Sequence, residues 1–201
     1  MSVRLDPTTA PREPLELLDR WLADAREGGV PGADAVAFVT VGGEGQPTAR
    51  TVSLKRLQDG ALVFTSALWT RKARELSANP RVALLFHWPS LGRQVHVAGE
   101  AVLVDDRALA EQLFAERAPG HRVQTLVSRQ GEPIDDLAPL QARHAHLMEA
   151  MEAPPDCPPD WGAIRVAPTA VEFWLQAPDR MHDRLLYERD GDGWSLTRLS
   201  P

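Results

Sequence analysis

Apolar residues first recur at spacings of three and four: Leu15, Leu18, Trp21, Leu22 and Ala25. This period predicts an amphipathic helix opening at Pro14 and stopped by Gly28-Gly29. The period then changes to two. Residues 34–41 (DAVAFVTV) read as a buried strand, 47–57 as a second alternating strand, and 61–66 as a third after the Asp59-Gly60 turn. Thr70 is placed to cap a helix over 71–78, which ends at Asn79-Pro80. Strands follow over 81–88 and 93–104, with Gly99 as a bulge or bend. Asp105-Asp106 cap a helix through about Glu116, residues 117–121 form a loop, and helical runs cover 123–129 and 137–152. The connector 153–160 (APPDCPPD) is too rich in proline for a helix. Strands return over 161–166, 170–176, 184–189 and 194–199, the last pair joined by a turn at 190–193. Residues 1–13 read as a flexible segment and 14–201 as a single domain. Short strands with helices placed before and among them predict a mainly β, α+β barrel rather than an alternating βαβ fold.

Composition narrows the function classes. With 43% hydrophobic and 25% charged residues in 201, a core is available. The formal net charge of −6 argues against nucleic acid and against an anionic membrane surface as partners. The apolar runs fall short of the roughly 20 residues that a membrane helix needs, and the first residues lead into no signal-like core, so a cytoplasmic protein is expected. The single cysteine, Cys157, excludes an internal disulfide and lacks the cationic neighbour of a reactive thiol. The six histidines show no metal-ligand spacing; His144 and His146 point to different helix faces. No metal is expected.

The glycine-rich motifs of dinucleotide and P-loop sites and the nucleophile elbow of α/β-hydrolases are absent, so a bound cofactor is expected to supply any chemistry. Candidate binding groups cluster instead. Arg50 and Lys55 flank one strand, and Arg71 and Lys72 stand where a helix opens, a combination suited to an anion. Arg50 and Lys55 differ by an odd number and so point to opposite faces of a regular strand. Gln94 offers a donor and an acceptor to the edge of a heteroaromatic ring, and His96 shares its face. Glu172-Phe173-Trp174 followed by Arg180, His182 and Arg184 offers charge and stacking to an anionic aromatic ligand.

Taken in order, RTVSLK, VFTSALWTRK, NPRVALLFHWPSLGRQVHVAGEA, VSRQ, EFW, RMHDRLLYER and a terminal RLSP resemble the pyridoxine (pyridoxamine) 5′-phosphate oxidase family over about residues 15–201. The resemblance implies a split β-barrel homodimer with FMN at the subunit interface. It implies oxidation of pyridoxine or pyridoxamine 5′-phosphate to pyridoxal 5′-phosphate, with O2 as acceptor and H2O2 as product. By motif, the FMN contacts are Arg50, Thr51, Val52, Ser53, Leu54, Lys55, Thr65, Ser66, Arg71, Lys72, Gln94, Gln130, Trp174 and Arg184, part of them from the second subunit. The substrate contacts are Lys55, Arg117, Arg180 and His182, with Arg180 and His182 holding the pyridine ring. Leu113 and His121 stand where the family carries a phosphate-binding Tyr and Ser; His121 is the replacement donor. Gly131 replaces a serine, and the Arg-x-x-Tyr segment that covers the family's active site is not recognisable in residues 1–13. The alternatives are an oxidase of a phenazine-type or other secondary-metabolite precursor on the same fold, and a non-catalytic flavin- or haem-binding barrel.

Overall fold

The computed structural model describes residues 4–201. The chain runs through α1 (Pro14–Glu27), β1 (Ala35–Val41), β2 (Pro47–Ser53), β3 (Arg56–Gln58), β4 (Ala61–Ala67), α2 (Arg71–Ala78), β5 (Arg81–Trp88) and β6 (Arg93–Val104). It continues through α3 (Arg107–Ala115), α4 (Pro119–Val127), α5 (Ala138–Ala150), β7 (Trp161–Leu175), β8 (Asp183–Asp190) and β9 (Gly193–Leu199). All paired strands of the described residues are antiparallel, in the order β2-β1-β5-β6-β7-β4-β3. The long β7 divides its outer edge: its first half pairs with β4 and its second half with β8, which carries β9.

Two differences from the sequence expectation shape the barrel. The predicted strand 47–57 breaks at residues 54–55. There the Leu54 N–H donates to Asp34 O and the Lys55 N–H to Val63 O, both at 2.9 Å. The chain thus passes from the β1 side to the β4 side in one peptide step and joins the two ends of the sheet order. The predicted gap at 167–169 closes instead, so that β7 runs unbroken with a register shift at Ala98/Gly99. A Cβ at residue 99 would stand 2.3 Å from Ala167 O, which only glycine avoids.

The interior alternates as a strand should: β1 and β5 bury every second residue. Leu18, Leu22 and Trp21 of α1 close one end of this core, where Trp21 meets Phe173 edge-on at 5.2 Å. A second cluster lies outside the barrel, where Leu113 and Phe114 of α3 pack on Val63, Trp161 and Ala163.

Residues 4–13, expected to be loose, are held as a strap. Leu5 is buried, the Tyr187 hydroxyl donates to Pro11 O at 2.9 Å, and Trp194 Nε1 donates to Glu13 at 3.0 Å. Residues 1–3 of that expectation lie outside the described residues. Among the described residues no helix is long and apolar enough to cross a membrane, and no cluster of three metal-ligating side chains occurs.

Candidate active site

A cavity of about 530 Å³ opens between β2, the end of β4 and α4. Arg50, Thr51, Val52 and Ser53 all line it, although successive strand residues point to opposite faces. The sheet order explains this. β2 pairs only with β1, so its other edge is unpaired among the described residues and faces the cavity with backbone as well as side chains. The break at 54–55 then turns Lys55, which is exposed, into the same cavity and leaves Leu54 in the barrel core.

One wall is built on a buried carboxylate. Glu75 Oε2 accepts from Thr40 and, at 2.7 Å, from Thr48, and Arg50 Nη2 approaches it at 3.2 Å. Its Oε1 accepts from Arg71 at 2.7 Å. Burial pushes the Glu75 carboxyl up, but the hydrogen bonds from Thr40, Thr48, Arg71 and Arg50 outweigh it and hold the group down at about 2. Arg50 also donates to Phe38 O and to the Thr40 and Thr48 hydroxyls, so the guanidinium is fixed before any ligand arrives.

Lys72 is the opposite case. It is 7% exposed, and its ammonium donates only to hydroxyls, to Ser66 Oγ at 2.9 Å and Thr70 Oγ1 at 3.4 Å. Among the described residues no carboxylate lies within salt-bridge range of it. Burial first, and the nearby Arg50 charge second, pull it from 10.5 down to about 8. A buried cation without a counter-charge among the described residues, beside a second cation and at the start of α2, could hold an anion. Thr70 sits at the cap position expected, yet its hydroxyl donates to Ala67 O at 2.8 Å instead of capping the helix.

The opposite wall comes from α4, which starts at Pro119 where a loop was expected. Ala118, His121, Thr125 and Ser128 recur at helical spacing and line the cavity with Gln124. Arg117 stands at the head of this wall. Its guanidinium carbon is 5.4 Å from the ring centroids of both Phe114 and Trp161, and Nη1 donates to Thr125 at 2.9 Å. Burial lowers its pKa from the ordinary arginine value, and no carboxylate of the described residues pairs with it. Leu113, at 1% exposure, packs in the outer core and offers the cavity nothing.

Of the residues singled out from sequence, Arg50, Thr51, Val52, Ser53, Lys55, Thr65, Ser66, Lys72, Arg117, His121 and Gln130 meet in this cavity. Trp69, Glu116, Gln124, Thr125, Ser128 and Trp161 line it as well and were not foreseen. The polar three-and-four spacing of α4 was the available signal. Arg71 turns outward to Glu75 and lines a smaller recess of about 180 Å³.

The remaining predicted residues form a separate group. Gln94, Trp174 and Arg184 face one another in register across β6, β7 and β8. The His182 ring lies 4.6 Å from Trp174, and Arg184 pairs with Glu172 at 2.7 Å. Arg180 adopts φ 65°, a left-handed conformation rare for a side chain of its size. None of this group lines the cavity of its own chain.

A model of the pyridoxamine 5′-phosphate oxidase family matches residues 22–175, and one described as the pyridoxine 5′-phosphate oxidase C-terminal dimerisation region matches residues 161–201. The chain belongs to the pyridoxamine 5′-phosphate oxidase family. A pyridoxine/pyridoxamine 5′-phosphate oxidase of Burkholderia vietnamiensis is 38% identical over 202 residues, covering 98% of this chain and 93% of the relative. One of Rubrobacter xylanophilus is 40% identical over 190 residues, covering 94% and 87%. Among solved structures, PhzG from Burkholderia lata in complex with tetrahydrophenazine-1-carboxylic acid superposes with a TM-score of 0.89 at 32% identity, over 98% of both chains. Within this family, the group formed by Trp174, Arg180, His182 and Arg184 falls inside the matched dimerisation region.

Proposed function

We propose that this chain is an FMN-dependent oxidase that converts pyridoxine or pyridoxamine 5′-phosphate to pyridoxal 5′-phosphate, with O2 as acceptor and H2O2 as product, the amine also consuming water and releasing ammonia. It works as a homodimer with one site across each side of the interface. The observation that carries the reading is the buried, uncompensated Lys72 beside Arg50. A phosphate supplies the missing charge, and Ser66 and Thr65 add hydroxyls next to it. Residues 51–53 then run their free strand edge along the cofactor, and Gln130 approaches from the segment after α4. The second copy brings its own Gln94, Trp174 and Arg184 to complete the site.

FMN, when bound, would supply the two-electron redox chemistry between substrate and O2. The chain binds and orients. Arg117 and Lys55 meet the substrate phosphate, with His121 as a third donor. Arg180 and His182 hold the pyridine ring. The Ala177 N–H donates to His182 Nδ1 at 3.0 Å, so the neutral imidazole carries its proton on Nε2 and presents that donor to a ligand.

A second reading, oxidation of a phenazine-type precursor, is favoured by one feature. Leu113 places apolar packing where the family's phosphate hydroxyl stands, while Trp69 and Trp161 give the cavity wall aromatic surface. Incubating the FMN-loaded protein in air with pyridoxine 5′-phosphate, pyridoxamine 5′-phosphate or a dihydrophenazine carboxylic acid separates the two. Pyridoxal 5′-phosphate and peroxide from the vitamers are expected; turnover of the tricyclic compound alone overturns the first reading in favour of the second.

Affinity for FMN is expected to weaken as the pH rises from about 7 to about 9. In the free protein Lys72 loses its proton near 8, whereas a phosphate monoester is already a dianion there. Binding at about pH 8 therefore takes up protons, measurable as a buffer-dependent heat of titration. A pH-independent affinity across this window would place the phosphate elsewhere.

A further inference from the structure

The loop 177–182 carries Arg180 and His182, and its two ends are fixed by different means. At the start, the Ala177 N–H binds His182 Nδ1, Arg180 N–H donates to Ala177 O at 3.2 Å, and Met181 N–H donates to Asp179 at 3.0 Å. The other end is Asp183, a carboxylate 3% exposed with no part in the site as described. Three groups converge on it: Arg198 Nη1 at 2.7 Å, Arg4 Nε at 2.8 Å and the Leu5 N–H at 3.3 Å. Arg198 also donates through Nη2 to Leu5 O, tying the strap to β9. A buried carboxylate is costly unless its partners are complete, and two of these three belong to the strap.

We propose that Asp183, latched by Arg198 and the strap residues Arg4 and Leu5, is a positioning residue that holds His182 and Arg180 in their binding arrangement. The strap does not line the cavity of its own chain; it acts through the carboxylate next to His182. The consequence for catalysis rests on the reading that Arg180 and His182 meet the substrate.

Two variants of the FMN-loaded dimer test this: one with residues 1–5 replaced by a single methionine, and Arg198→Gln. Both are expected to speed amide hydrogen exchange over 177–183, to raise KM for the B6 phosphate about tenfold with kcat within about twofold, and to keep the full FMN content. Restoring the charge with Arg198→Lys is expected to recover part of the KM. Unchanged exchange, or faster exchange with unchanged KM, overturns the proposal. If the parent protein itself shows no B6 turnover, that reading falls separately, and the tautomer of His182, read from its imidazole nitrogen shifts, decides. Loss of the single Nε2–H tautomer in the variants supports the latch, and its retention overturns it.

Discussion

Replacing Lys72 by methionine is expected to strip FMN from the protein and leave the apo fold at least as stable as before. Two effects that usually travel together are separated here. Removing one partner of a buried charge pair costs about 2–5 kcal/mol of binding, a factor of roughly 30 to several thousand in affinity. The fold loses little, because the Lys72 ammonium is desolvated and has no carboxylate to leave orphaned. Ser66 and Thr70 remain bonded to each other at 3.0 Å and both also reach Ala67 O. The same logic fixes a sign for the parent protein. Lys72 lies near 8 folded against 10.5 unfolded, so the unfolded chain holds more protons between these values. Its penalty on apo stability is full below about 8 and is relieved as the pH rises toward 10.5. Flavin absorbance of the purified variant, with a denaturant midpoint beside it, checks both halves. Full flavin loading of Lys72→Met would refute the phosphate assignment.

Arg117→Met is expected to do the complementary thing: kcat/KM for the B6 phosphate falls by roughly 10- to 150-fold, while FMN content stays at the parent level. Arg117 lies over the edge-to-face pair of Phe114 and Trp161, 5.4 Å from each ring centroid, and is held by Thr125, and no described carboxylate neutralises it. A charge-assisted contact to a phosphate of this kind is worth about 1.5–3 kcal/mol, and more where water is excluded. Methionine keeps an apolar side chain against the ring pair, so packing survives and the loss is one of charge. Arg117→Lys is expected to recover only part, since a lysine neither stacks on aromatic rings nor binds in two-pronged fashion. A kcat/KM unchanged in Arg117→Met would remove this residue from the substrate site.

These two residues also show where the sequence was legible. The strands and helices follow from period, and the family resemblance named eleven residues that the fold gathers into one cavity. What period could not supply is the partner of each strand. The break at 54–55 exists because Leu54 finds the carbonyl of Asp34, just before β1, and Lys55 that of Val63 on β4, and that pairing is non-local. The long β7 likewise absorbs Pro168 opposite Gly99, a tolerance that depends on the neighbouring strand. At α4, Pro119-Gly120 reads as a turn, yet proline is at home in the first turn of a helix, and the chain uses it so. Arg71 and Lys72 could have been separated: Ala73 and Leu76 mark the buried face of α2, and Lys72 shares it with Glu75, while Arg71 does not. The division of predicted residues between the cavity and the row formed by Gln94, Trp174 and Arg184 has no local signature; on the proposed reading it is a property of two chains rather than one.

The central claim is that this cavity, completed by a second copy, oxidises a B6 phosphate with FMN. Mixing the FMN-loaded dimer with pyridoxamine 5′-phosphate in the absence of oxygen tests it in a single turnover. The visible flavin band is expected to bleach, about one equivalent of pyridoxal 5′-phosphate to form per flavin, and air to restore the band. A flavin band that stays oxidised with saturating pyridoxamine and pyridoxine 5′-phosphates would contradict it.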